Sequence, residues 1–135
     1  MTQATDYPKA AKYPDLDAVY SECSGPGGLK LAEFIADRLD LKPGSRLLDI
    51  GTNRGFQTCF LAREYGVSVV GIDPWINPFD SERLPMVEYV WRNAHAWGVE
   101  DRVLPVGVGV PKTKFADASV SARRIIVGHS AQCQA

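Results

Sequence analysis

The sequence predicts an α/β domain built on a parallel sheet. Two short apolar runs, Arg46-Leu47-Leu48-Asp49-Ile50 and Ser68-Val69-Val70-Gly71-Ile72-Asp73, have the composition of strands buried on both faces. They alternate with amphipathic segments of helical length, in the order helix, strand, helix, strand, helix, strand. That alternation calls for right-handed crossovers between parallel strands. The chain's 135 residues suffice for one domain and fall short of two.

Each element has a local reason. Residues 1–28 keep no clear apolar period. They carry Tyr7, Tyr13 and Tyr20, with Pro8 and Pro14 each after an aromatic, and close on Ser24-Gly25-Pro26-Gly27-Gly28. This stretch reads as an irregular arm with one short helix around Asp15 to Glu22, equally a mobile leader or a lid. Leu29 to Leu39 is helical: Leu31, Ile35 and Leu39 recur every four residues with Phe34 beside them, and Lys30, Glu33, Asp37 and Arg38 fall mainly elsewhere. Pro43-Gly44 turns the chain into the first strand.

After the glycine loop, Phe56 to Tyr65 reads as a helix burying Phe60, Leu61 and Cys59, with Gly66 as its left-handed cap. Pro74 to Pro85 is a proline-rich connection that excludes a continuous helix. Met86 to Trp97 places Val87, Val90, Trp91 and Ala94 on one stripe and ends at Gly98. Trp91 and Trp97 read as packing residues, and His95 as a solvated side chain with no carboxylate partner. Arg102 to Gly107 is a third strand, which Pro105 makes irregular or pushes toward an edge.

Composition narrows the function classes. Fifteen basic against sixteen acidic residues leave a net charge of -1, which disfavours a protein that grips nucleic acid or an anionic membrane through bulk charge. No apolar run approaches the ~20 residues of a membrane span. Residues 1–6 lack the basic and apolar regions of a secretory signal. The three cysteines, Cys23, Cys59 and Cys133, match no metal or redox spacing and read as reduced thiols of a cytoplasmic protein. No metal site is expected.

The chemistry concentrates in Asp49-Ile50-Gly51-Thr52-Asn53-Arg54-Gly55. A glycine-bearing turn between a buried strand and a helix lets backbone N–H groups approach a ligand closely. Eighteen residues beyond Gly55 the second strand ends in Asp73, an acid placed to accept hydrogen bonds from ribose hydroxyls. A dinucleotide fingerprint needs glycines at relative positions one, three and six. Counted from Gly51, those positions hold Asn53 and Phe56, so that fingerprint fails twice. An acid-x-Gly-x-Gly-x-Gly pattern fits instead, with Asn53 at the central glycine, where asparagine tolerates a left-handed backbone.

Asp49 to Gly55, Val69-Val70-Gly71-Ile72-Asp73, and Asn93-Ala94 through Trp97-Gly98-Val99-Glu100-Asp101-Arg102-Val103 together resemble the first half of a class I S-adenosylmethionine-dependent methyltransferase. The resemblance spans Gly28 to Ser119 and implies a Rossmann-like fold with S-adenosylmethionine as cofactor. It implies that Gly51, Thr52, Asn53 and Gly55 lie against the cofactor's methionine and ribose, with Asp49 near the aminocarboxypropyl group. Asp73 would bind the ribose hydroxyls, and Pro74 and Trp75 would flank the adenine. Trp75 also has an aromatic face suited to stacking on a purine.

Each residue has a plainer role beside that one. Asp73 can cap the turn at Pro74, Asp49 can hold the loop closed, and Arg54 can face solvent or a cofactor carboxylate. The position where the family places an acid or amide for the adenine amino group is Gly109 here. Phe115-Ala116-Asp117-Ala118-Ser119 is similar to the approach to the family's fourth strand, but the pattern is lost at Val120. The expectation is an incomplete sheet of about three to four strands, with residues 29–120 as the cofactor-binding part. Residues 121–135 form an atypical tail in which Ile125-Ile126-Val127 reads as a strand. A shifted reading frame or misplaced end would account for that tail. An unpaired sheet edge would favour self-association. The acceptor expected is a small molecule, no nucleic acid or membrane is expected, and no catalytic base is nominated. A non-catalytic nucleoside-cofactor-binding or interaction module is the alternative.

Overall fold

The computed structural model describes residues 6–23, 28–76, 81–109 and 122–125. The described residues include four α-helices: α1 (Leu16–Glu22), α2 (Gly28–Arg38), α3 (Phe56–Tyr65) and α4 (Met86–Trp97). The strands are β1 (Arg46–Ile50), β2 (Ser68–Ile72), β3 (Val103–Val106) and β4 (Ala122–Ile125). They form one parallel sheet in the order β3-β2-β1-β4. This is the expected Rossmann-like arrangement, with four strands among the described residues.

The chain leaves β1 through α3 to reach β2 and leaves β2 through α4 to reach β3. Both crossovers step in the same direction, so both helices land on one face. Alternation along the strands then decides the core. Leu47, Val69 and Val103 point into it and meet Ala32 and Ala36 of α2, Phe60 and Leu61 of α3, and Val90 and Ala94 of α4. On the opposite face Leu48 is buried, Val70 is half-buried and Leu104 is 52% exposed. There Arg46, Val70, Trp91, Arg102 and Leu104 border a groove of about 290 Å³, at the strands' N-terminal ends.

β3 lies at an edge of the described sheet, one of the two outcomes expected of Pro105. The N–H groups of Val69 and Asp73 reach the carbonyls of Arg102 and Val106, so the even-numbered residues of β3 face β2. The backbone groups of Val103 and Pro105 therefore point away from β2. The Val103 N–H is already given to Val99 O, and proline has none. An edge-to-edge pairing through β3 lacks both donors.

β4 pairs with β1 in the register Leu47↔Ala122 to Ile50↔Ile125. The strand expected at Ile125-Ile126-Val127 thus begins three residues earlier, and part of the segment set apart as a tail joins the sheet. The turn at 24–27, the connection at 77–80, and the expectations placed on Phe115 to Val120 and on 126–135 lie outside the described residues, as do residues 1–5.

Two predicted stripes are corrected. In α2 the buried residues are Leu29, Ala32, Glu33 and Ala36, while Phe34 and Leu39 are exposed. The alanines let α2 approach α3 closely, and Glu33 is drawn inside because it accepts N–H groups of the arm. In α4 the buried side is Met86, Tyr89, Val90 and Ala94, and Trp91 is 43% exposed beside the groove. Trp97 does pack, stacked on Tyr13 with centroids 4.9 Å apart.

The arm is more regular than expected. A 3-10 helix at Ala10–Lys12 precedes α1, and Asp15 caps α1 by accepting from Ala18 N–H. Glu33 Oε1 and Oε2 take the Lys9 N–H at 2.8 and 3.1 Å, and Oε2 takes the Ala10 N–H at 3.2 Å. Glu64 of α3 takes Lys12 Nζ at 2.6 Å and Tyr13 O–H at 2.8 Å. Of the open pair of readings, leader or lid, neither describes a segment latched along α2 and α3 in this way.

Candidate functional site

In an open parallel sheet, ligands bind outside the carboxyl ends of the strands where the strand order reverses. Here β1, β2 and β3 run outward in one direction and β4 joins on the other side of β1. The reversal falls at β1, and the segment leaving its carboxyl end is Gly51 to Gly55.

The loop's shape follows from three left-handed residues in alternation: Gly51 at φ 74°, Asn53 at 53° and Gly55 at 80°. Asparagine does hold a left-handed backbone at the central position. The N–H groups of Gly51 and Thr52 both donate to Ile72 O, at 2.8 and 3.1 Å, which ties the loop to the end of β2. Gly55 caps α3, and a Cβ there would stand 2.8 Å from Val90 Cγ1. A side chain at Gly71 would stand 2.8 Å from Thr52 Oγ1. Both glycines therefore set how closely the loop nests between β2 and α4.

Asp49 is fully buried beneath the loop. Its Oδ2 accepts from Thr58 Oγ1 at 2.6 Å, and the Thr58 hydroxyl is in turn in contact with that of Thr52. With the Thr58 proton on Asp49, Thr52 is the donor to Thr58, and the loop is pinned to the first strand through two hydroxyls. Asp49 thus has the loop-closing role, reached through α3. Thr58 was missed in the sequence; its one signal is a polar residue directly before the buried run Cys59-Phe60-Leu61. Cys59 is buried among them, and burial, with the Asp49 charge as a second cause, pushes its thiol up to about 12.

Asp73 is 1% exposed and turned toward the loop. Its Oδ2 accepts the Asn53 N–H at 3.0 Å, and its Oδ1 accepts the Trp75 N–H at 3.0 Å. The second bond is the turn-capping role at Pro74. The first joins the ends of β1 and β2 across the cradle. Pro74 is exposed and Trp75 half-buried. The Trp75 carbonyl accepts Met86 N–H at 2.8 Å, and Ile76 bridges to Pro85, which anchors the connection beside Asp73. Gly109 is half-buried and carries no side chain to recognise a base.

Arg54 is placed between helices. Its Nη1 is 3.7 Å from Glu22 Oε1, and its guanidinium lies 5.3 Å from the Tyr89 ring centroid. Asn93 Nδ2 donates to the Arg54 carbonyl at 2.8 Å and to Glu22 Oε2 at 3.2 Å. His95 is exposed as expected, but it does have a carboxylate neighbour, Glu100 Oε2 at 3.2 Å from Nδ1. Among the described residues no three His, Cys, Asp or Glu side chains converge as metal ligands, and no helix is long and apolar enough to cross a membrane.

The donor set suits an adenosyl ligand. Asp73 is a buried carboxylate turned to the loop, an acceptor of the kind a ribose hydroxyl donates to. The half-buried Trp75 follows two residues beyond Asp73.

No family model matches the chain. A stretch of 51 residues is 45% identical to a phosphoethanolamine N-methyltransferase of Triticum aestivum, covering 38% of this chain and 10% of that relative. The chain thus matches about a tenth of that relative's length. An S-adenosylmethionine-dependent methyltransferase of Thiobacillus denitrificans, solved with S-adenosyl-L-homocysteine, superposes with a TM-score of 0.61 at 23% identity, over 84% of this chain and 43% of that one. The cyclase SpnF has the same TM-score of 0.61 at 22% identity, over 82% and 43%. Across its described residues the chain has the fold of S-adenosylmethionine-dependent methyltransferases, and over that short stretch its sequence is similar to a phosphoethanolamine N-methyltransferase.

Proposed function

We propose that this chain is the cofactor-binding part of an S-adenosylmethionine-dependent methyltransferase acting on a small molecule. One observation carries the reading: the buried Asp73 carboxylate is bonded to the Asn53 N–H of the Gly51–Gly55 loop at the sheet's reversal point. Gly51, Thr52, Asn53 and Gly55 would hold the methionine and ribose portions, and Asp73 the ribose hydroxyls. Pro74 and Trp75 would flank the adenine, while Asp49 secures the loop through Thr58 and Thr52. Bound there, S-adenosylmethionine supplies a sulfonium-activated methyl group, and the protein's task is alignment and exclusion of water. A general base is needed only for an acceptor that must first lose a proton, and no residue here is assigned that role.

A small acceptor is supported by the balanced charge of 15 basic and 16 acidic residues and by the phosphoethanolamine in the relative's name. A cytoplasmic setting belongs to the same reading. Calorimetric titration with S-adenosylhomocysteine and with NAD tests it. S-Adenosylhomocysteine should bind, NAD should not, and Asp73→Ala should weaken binding by roughly 10-fold or more through loss of charge-assisted hydrogen bonds. Binding of NAD instead, or unchanged affinity in Asp73→Ala, would overturn the assignment.

The second reading is a cofactor-binding module without methyl transfer. It is favoured by one fact: a cyclase shares this fold, and a fold does not fix a reaction. Tight S-adenosylhomocysteine binding, with no methyl transfer to small amine or hydroxyl acceptors, would select it.

A further inference from the structure

The two edges of the described sheet differ. β3 is closed to a further strand, because Val103 has given its N–H to Val99 and Pro105 has none. β4 has one neighbour among the described residues, β1, and an edge strand is a ready template for another strand. The same side of the molecule carries an apolar helix flank. α4 packs on β3, α3 on β2, and α2 on α3. The helix row α4-α3-α2 thus follows the strand row β3-β2-β1-β4, and α2 lies toward the β4 edge. Asp37 of α2 accepts the Tyr65 O–H of α3 at 2.6 Å, which marks the flank of α2 turned to α3. At about 3.6 residues per turn, Leu31, Ile35 and Leu39 fall on the flank turned away from it. Leu31 and Ile35 are half-buried and Leu39 is 37% exposed. The stripe itself holds no charge. The adjoining Arg38 guanidinium lies over the Phe34 ring, 3.5 Å from its centroid.

We propose that β4 and the Leu31-Ile35-Leu39 stripe form one interface whose occupant is a second copy of this chain. A two-fold axis normal to the sheet at the β4 edge satisfies both elements at once. It sets β4 antiparallel to its copy, which extends the sheet, and sets α2 antiparallel to its copy on the same face. With the axis at Ile35, Leu31 of one copy meets Leu39 of the other and Ile35 meets its own counterpart. That is the self-complementary pattern of an isologous contact. A lone partner strand would pair with β4 and leave the stripe in water, whereas a second copy brings the strand and a matching stripe together.

The test is sedimentation of the full chain over a concentration series reaching about 200 μM, with the mass read against the 14.8 kDa of one copy. The wild-type mass should double along the series. Leu39→Glu places a charge against Leu31 at two symmetric points and should raise the dimer dissociation constant by roughly 30-fold or more. Ile35→Glu brings two carboxylates together at the axis and should do at least as much. Leu104→Glu, on the open face of the sheet, should stay within about two-fold of wild type. Far-ultraviolet circular dichroism confirms the fold of each variant, and the exposed Leu39 site keeps the test open where Ile35→Glu unfolds. Amide exchange at Ala122–Ile125 should slow as wild-type concentration rises and should not slow in Leu39→Glu. A wild-type chain that keeps the mass of one copy throughout would overturn the proposal. So would a dimer that Leu104→Glu dissociates and Leu39→Glu leaves intact, or a dimer whose β4 amides exchange as fast as in the single copy.

Discussion

The loop after β1 and the N-terminal arm are held by opposite means. The loop is fastened by its own backbone: Gly51 and Thr52 donate to Ile72 O, and Asn53 donates to a carboxylate 20 residues away. The arm is fastened by side chains of distant helices. Glu33 takes the N–H groups of Lys9 and Ala10, and Glu64, 51 and 52 residues away, takes Tyr13 and Lys12. A region held by main-chain geometry fails when that geometry is forced, whereas a region held by a few carboxylates fails when they are removed or protonated. Each can therefore be broken without the other.

The largest effect is expected in the loop. Gly55→Ala must place a side chain at φ 80° and within 2.8 Å of Val90 Cγ1 and 3.1 Å of the Val90 Cα. Left-handed strain and overpacking together should cost about 2–4 kcal/mol. Chemical denaturation would read this as a lower midpoint, and cofactor binding should weaken with it. A midpoint unchanged from wild type would show that the loop is not clamped against α4.

Next comes the arm. Glu33 is 1% exposed and accepts three hydrogen bonds from main-chain N–H groups. Glu33→Ala leaves those donors unsatisfied, which should cost on the order of 1–3 kcal/mol. Amide exchange at residues 9–13 should accelerate, while exchange at Gly51 and Thr52 stays as slow as in wild type. Acceleration in both places would mean that arm and loop open as one unit.

A smaller effect separates them by pH. Burial tends to raise the Glu64 pKa, but hydrogen bonds from Lys12 and Tyr13 and the charges of Lys12 and Arg63 outweigh it, and the net shift is downward. A lowered folded pKa gives stability that is full above the ordinary glutamate range and is lost as pH falls through the lowered value. Tyr13 moves the other way, from 10.0 to about 12, chiefly through burial and then through its bond to Glu64. Its contribution is complete below pH 10 and fades as pH rises through about 12. Near-ultraviolet circular dichroism of the Tyr13–Trp97 stack should therefore change at both extremes. A signal flat from acid to strong base would remove Glu64 from the latch.

The same contrast explains what could be read in the sequence. The loop was legible because its determinants are local: Gly51 and Gly55 at fixed spacing, Asn53 tolerating φ 53°, and an acid closing the next strand. The strand runs and the glycine stops at Gly66 and Gly98 were legible for the same reason. The arm was not, because nothing near Lys9 announces that Glu33 will cap it, and periodicity counted Glu33 among solvent-facing charges. The α2 stripe was misassigned with it: Leu31, Ile35 and Leu39 satisfy a helical period, but the alanine side packs closer to α3. Arg54 needed the structure too, since Glu22 and Asn93 meet it only when α1, the loop and α4 are brought together.

The two thiols among the described residues, Cys23 and Cys59, give the finest separation of the regions. Cys59 lies fully buried in α3 near Asp49, its thiol pushed up to about 12, chiefly by burial. Cys23 is half-buried at the end of α1, and neither is in a disulfide. Since the thiolate is the reactive form, a maleimide at neutral pH should modify Cys23 and spare Cys59, as peptide mapping can resolve. Glu33→Ala should then speed Cys23 modification by a factor of about two to ten, in step with the freed arm. Cys59, which needs α3 to open, should keep its wild-type rate. Equal acceleration at both cysteines would mean that the carboxylates of α2 and α3 hold the core under the loop as well as the arm.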